Sequence, residues 1–186
     1  PGPGAHFAEM ARSILEAAIE VTITQDDREN QNLITVIDLL LSADLEATVT
    51  IWSENPSIVG HRPSQAATAF LSAGERERGG IRTTIAKAFQ WAQSDRMRAF
   101  LKDQTFAWEE LIDNKIDLYV VVPMDRLTDQ ATFMRLVVNL ILGVVVRESG
   151  RRNVSAPILL MLDEFVRLGR MEKIMDIANV AAGAGI

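Results

Sequence analysis

The chain contains no cysteine. That excludes a disulfide framework, a thiolate zinc site and a thiol nucleophile, and it fits a reducing compartment. Histidine is scarce: His6 and His61 are the only two, and neither has another ligand type at metal-binding spacing, so both read as surface or capping residues. No GxxxxGK[ST] occurs, hence no loop of backbone N–H groups and lysine to cradle phosphates. The glycine clusters GERERGG (74–80) and AAGAGI (181–186) lack the required Lys and Ser/Thr. No segment reaches the roughly 18 apolar residues of a membrane span. The longest apolar run, LVVNLILGVVV (136–146), is short and carries Asn139. The opening PGPGAHFAEM has neither a basic start nor an apolar core, so it is no secretory signal. Residues 1–4 read as a linker or cloning scar.

What is present describes a packed protein. At 186 residues there is chain enough for one large domain or two small ones. Hydrophobic residues make up 48% and charged residues 24%, which sets the chain apart from disordered sequences. The net charge of −6 is uneven: residues 1–113 hold 10 basic and 17 acidic side chains, residues 114–186 hold 9 and 8. An acidic front half does not invite a phosphate backbone, which binds through basic side chains that displace counterions. It suits either a basic protein partner or a merely solvated surface.

The front half reads as helices. Phe7, Met10, Ile14, Ala17, Ala18 and Val21 fall three and four apart, the stripe of an amphipathic helix. Asn30 or Asn32 caps a second helix through Leu41. A third spans residues 44–52, against the β-branched TVTI, and Asn55 with Pro56 ends it. Pro63 suits the first turn of a fourth. ERERGG (75–80) reads as a boundary or weak point within a helical hairpin, and IRTTIAKAFQWA and DRMRAFLKD close the helical half near Gln104. FAWEELIDNK (106–115) is a short helical approach. KIDLYVVVP (115–123) is then a compact β-branched run closed by Pro123, the pattern of a strand buried on both faces. A long helix opens at Thr128 or Asp129, a second apolar run follows in ILLMLD (158–163), and RMEKIMDIANVAA (170–182) reads as a last helix. Alternation of apolar strands and helices is the pattern of a parallel α/β sheet. Two strands are too few for such a sheet alone, so the chain reads as a fragment.

The second run ends in adjacent carboxylates, Asp163 and Glu164. In parallel α/β sheets ligands bind beyond the carboxyl ends of the strands. There an Asp holds magnesium through water in P-loop nucleotidases, and a following Glu polarises the attacking water. A strand that simply ends in solvent with two acids carries the same pair. The phosphate-binding half of a nucleotide site is missing from the sequence.

LLMLDEFVRLGRMEKIMDIANVAAGAGI (159–186) resembles the segment around the second nucleotide motif of type IV secretion coupling proteins, the TraG-like conjugative ATPases. DLYVVVPMDRL (117–127) is similar to the preceding strand of that family. HFAEMARSILEAAI (6–19) and GGIRTTIAKAFQWAQSDRMRAFL (79–101) resemble its inserted all-α domain. The resemblance covers nearly everything except PGPG and is most specific in LDEFVRLGR with the downstream GAGI. It implies a mainly α chain: an all-α cargo-recognition domain over residues 5–107, then an incomplete parallel RecA-like α/β nucleotide-binding domain over 108–186 that carries the Walker B strand. It implies a parent that is a homohexameric ATPase anchored in the bacterial inner membrane, with ATP and Mg2+ as cofactors. Asp163 matches the magnesium-linked acid and Glu164 the catalytic acid. The implied partners are a relaxase or secreted effector and an accessory or chaperone protein, with DNA met indirectly through the relaxase. This chain would lie on the cytoplasmic side without membrane contact. Lacking a phosphate loop, it is expected to bind no nucleotide and to be inactive as an ATPase by itself.

Other residues have two readings each. Arg167 and Arg170 either reach a phosphate, in their own or a neighbouring subunit, or pair locally with Asp163, Glu164 or Glu172. Gly169 suits a tight turn between strand and helix. Trp52 and Trp108 read as core, whereas Trp91 has Arg82, Lys87, Arg96 and Arg98 near it in sequence, a candidate DNA patch. The alternative function is therefore a DNA-translocase motor fragment whose helical domain contacts DNA.

Overall fold

The computed structural model describes residues 3–24, 28–102, 105–113, 115–149, 151, 158–163 and 169. It is mainly helical, and the chain divides into two compact units, Pro1–Asp103 and Gln104–Ile186.

The first unit is a helical bundle. Helix α1 (Pro3–Thr24) buries Ala11, Ile14, Ala17, Ala18 and Val21 along one stripe. It begins at Pro3, so half of PGPG is helix rather than linker; a proline in the first turn gives up an N–H that would have no intrahelical partner there. Asn32 is the cap of α2 (Leu33–Leu41), its side chain accepting from the Thr35 N–H at 3.0 Å. Helix α3 (Leu45–Glu54) forms through the β-branched TVTI because Leu45, Val49 and Trp52 are buried, so tertiary packing overrides local propensity. A short turn, α4 (Pro56–Val59), leads into α5 (His61–Ser72), which lies against α1 and α3 with Phe70 fully buried. Ser64 Oγ donates to the Ser53 carbonyl at 3.2 Å and ties α5 to α3.

The boundary expected at ERERGG falls earlier. Helix α5 ends at Ser72, and α6 (Glu75–Ala88) runs straight through both glycines. Glu75 and Glu77 sit in the first turn, where acids favour the helix dipole. Gly80 is there for contact: a Cβ on it would lie 3.1 Å from the Phe7 ring of α1. His6 pairs with Glu77 across the same α1–α6 contact. A 3-10 turn (Gln90–Ala92) leads to α7 (Asp95–Lys102).

In the second unit α8 (Glu109–Ile112) packs on α9 (Leu127–Ser149). Residues 116–123 and 158–162 form no helix and alternate between half-buried and exposed, as an extended chain does, but among the described residues no β-ladder joins them. The parallel sheet expected from their composition is therefore not formed there; a strand, unlike a helix, needs a neighbour to satisfy its backbone. The expectation that no segment is long and apolar enough for a membrane also needs correcting. Met124–Glu148 meets that test by length and composition. It carries Arg135 and Asn139, and its Met134, Val138 and Leu142 pack with Leu160 and Leu162 of the same unit.

Candidate functional site

The acidic end of the second extended segment is placed by α9. Ile158 packs with Ile141, Val144 and Val145 near the C-terminal end of the helix, beside Trp108 and Ile112. Leu160 and Leu162 pack with Met134, Val138 and Leu142, further toward its N-terminus. The segment thus runs antiparallel to α9 and delivers Asp163 toward the helix's first half. Alternation does the rest: Ile158, Leu160 and Leu162 turn to the helix, whereas Leu159 and Met161 are each 82% exposed. Asp163 begins a turn and is exposed. Glu164, Arg167 and Arg170 lie outside the described residues.

Gly169, six residues on, has a φ of +70°, the left-handed region that glycine enters without cost. Its neighbour is Arg135 of α9. A Cβ on Gly169 would stand 3.9 Å from Arg135 Nη1. Arg135 is half-buried, and its Nη2 donates to Thr132 Oγ1 at 3.0 Å one turn earlier. Reading the sequence did not single Arg135 out. The signal was there: it is the one charged residue between Asp129 and Arg147, an apolar stretch in which a cation calls for a reason. Glu148 was missed too. It is 8% exposed, with Arg147 Nε at 3.4 Å and Arg151 Nη1 at 3.6 Å, while Arg147 Nη2 also reaches Glu109 at 2.8 Å and joins α9 to α8.

Among the described residues no group of three or more His, Cys, Asp or Glu side chains stands ready to hold a metal. A site of that size is not needed for magnesium, which commonly takes one or two carboxylates together with waters and substrate phosphates.

A family model described as type IV secretory system conjugative DNA transfer matches residues 2–186. The chain belongs to this family. Searches of curated proteins and of solved structures give no match.

In a conjugative DNA-transfer chain the residues around Trp91 invite inspection. The Trp91 ring is 9% exposed and sits within the helical unit, so it offers little face for a base. Arg98 Nη2 lies 2.7 Å from both oxygens of Asp38 and ties α7 to α2. Arg96 is exposed. Trp52 is buried, and Trp108 meets Phe106 edge-on at 5.2 Å. On α1, Glu16 takes a 2.8 Å bond from Arg12 Nε and a 3.0 Å bond from Arg62 Nη2 of α5. The bond from Arg12 holds its carboxyl below the ordinary glutamate value; burial opposes this, and the charges of Arg12 and Arg62 add to the lowering.

Proposed function

We propose that this chain is the substrate-recruiting part of a type IV coupling ATPase. Its helical unit binds relaxase or effector cargo, directly or through an accessory protein, and its second unit is an incomplete RecA-like nucleotide-binding domain. In the complete hexameric protein Asp163 holds Mg2+ through water and Glu164 polarises the water that attacks ATP. Arg167 and Arg170 stand near enough in sequence to meet a phosphate. The hexamer works at the bacterial inner membrane, with this chain on its cytoplasmic side. DNA reaches it through the relaxase.

The observation that carries the reading is the conjugative DNA-transfer family match over residues 2–186. Two features support the finer assignment. One is an extended segment that ends in an exposed Asp163 and runs antiparallel to the preceding helix, the arrangement of a strand–helix–strand crossover. The other is the acidic front half, which complements a basic secretion signal.

The test is a pull-down with the purified chain from an extract of its source cell, with mass spectrometry of what is retained. Recovery of a relaxase, an effector or a secretion chaperone is the expected result. Retention of nucleic acid without protein, lost steeply as salt rises, would replace this reading with the motor-fragment alternative.

A further inference from the structure

We propose that residues 116–122 form an association edge that takes the same segment of a second copy of this chain as an antiparallel β-strand. The inference goes beyond the cargo and nucleotide readings above and rests on neither.

Three observations meet at this segment, IDLYVVV. Its outward side chains are open: Tyr119 is 84% and Val121 87% exposed, while Ile116, Leu118, Val120 and Val122 are half-buried. Its backbone is open as well: among the described residues no hydrogen bond reaches the main chain of 116–122. Unpaired N–H and C=O groups beside an apolar row are a template for another strand, because a strand satisfies both at once. The segment is also unguarded. Lys115 and Pro123 stand at its two ends, and Asp117 is the one charge between them. Charge and sequence choose the occupant. The chain as a whole carries −6, but Lys115 and Asp117 cancel here, so two copies of the segment meet without net local repulsion. Antiparallel pairing centred on Tyr119 sets that ring against its own copy, Leu118 against Val120 and Ile116 against Val122. It sets Asp117 against Val121, so no like charges stand opposite. Such a contact uses the same residues on both copies and therefore closes at a dimer. In a complete sheet domain this segment would already have strands beside it. The pairing is thus a property of the chain as it stands, separate from the ring of the hexamer.

The experiment is sedimentation velocity of this 186-residue chain over a concentration series, with Tyr119→Asp and Met161→Asp set beside wild type. Both substitutions fall at exposed positions, so unchanged helix content by circular dichroism is expected in each. Wild type is expected to pass from monomer to dimer as concentration rises. Tyr119→Asp is expected to weaken the dimer by roughly tenfold or more, since it replaces an aromatic pair with facing carboxylates. Met161→Asp, on the other open row, is expected to dimerise as wild type does. A chain that stays monomeric at every concentration overturns the proposal. So does a dimer that Tyr119→Asp leaves intact, or one that Met161→Asp weakens equally. The cysteine-free sequence allows a second measurement. Tyr119→Cys is expected to form a disulfide-linked dimer under mild oxidation, because directly opposed residues of an antiparallel pair lie within disulfide reach. Absence of that link, beside a dimer in solution, overturns the pairing of 116–122.

Discussion

The helical unit and the second unit treat their apolar residues differently. In the first, Ile14, Ile37, Leu40, Leu45, Val49, Phe70, Ile81 and Ile85 are almost completely buried. In the second, the two extended segments expose every other residue: Tyr119 is 84% and Val121 87% exposed on one, and Leu159 and Met161 stand out on the other. A helix closes its own backbone hydrogen bonds and needs only one apolar face covered. A strand closes none alone and has two faces to cover. The same apolar content thus completes a helical bundle and leaves two segments beside α9 with one face open. Exposed apolar rows at period two are what a larger sheet domain would cover.

That contrast can be broken by substitution. Phe70→Ala in the helical unit is expected to cost about 3–5 kcal/mol, read as a loss of the unfolding midpoint of this chain. Val121→Thr is expected to stay within about 0.5 kcal/mol in this chain, and to cost more wherever a further sheet covers that face and would feel the hydroxyl. Equal and large effects of both changes in this chain would abolish the distinction.

A smaller effect sharpens the account of α6. Gly79 has nothing within 4 Å of its Cβ position, whereas at Gly80 the Phe7 ring stands at 3.1 Å. Gly79→Ala should therefore stabilise the chain by up to about 1 kcal/mol through helix propensity. Gly80→Ala should gain less, because the same propensity is set against displacement of Phe7. Thermal unfolding of the two variants side by side checks the order.

The smallest effect is electrostatic. The Glu16 carboxyl should titrate by NMR below the ordinary glutamate value, and return toward it in an Arg12→Gln, Arg62→Gln double variant. With the folded value depressed, the stability contributed by Glu16 is present above the unfolded value. It is lost as pH falls through the depressed one.

Much of the helical unit is legible in the sequence. The α1 stripe, the Asn32 cap and the position of Pro63 follow from local rules and appear as read. What escaped depended on distant partners. Nothing local announces that Gly80 makes room for Phe7, or that Arg98 is taken by Asp38 sixty residues away. Trp91, whose basic neighbours suggested a DNA patch, has its ring in the packed interior. In the second unit composition suggested two strands buried on both faces, but Tyr119, Val121, Leu159 and Met161 are exposed, and a β-ladder, a property of two segments, is not formed among the described residues.

The central claim is a division of labour, with cargo capture in the helical unit and ATP chemistry beyond residue 108. One measurement separates them: cargo retention and ATP turnover in the complete protein carrying Glu164→Gln. Turnover is expected to fall at least about a hundredfold, as loss of a general base does, with cargo retained as by the wild type. Unchanged turnover, or cargo lost together with turnover, would contradict the account.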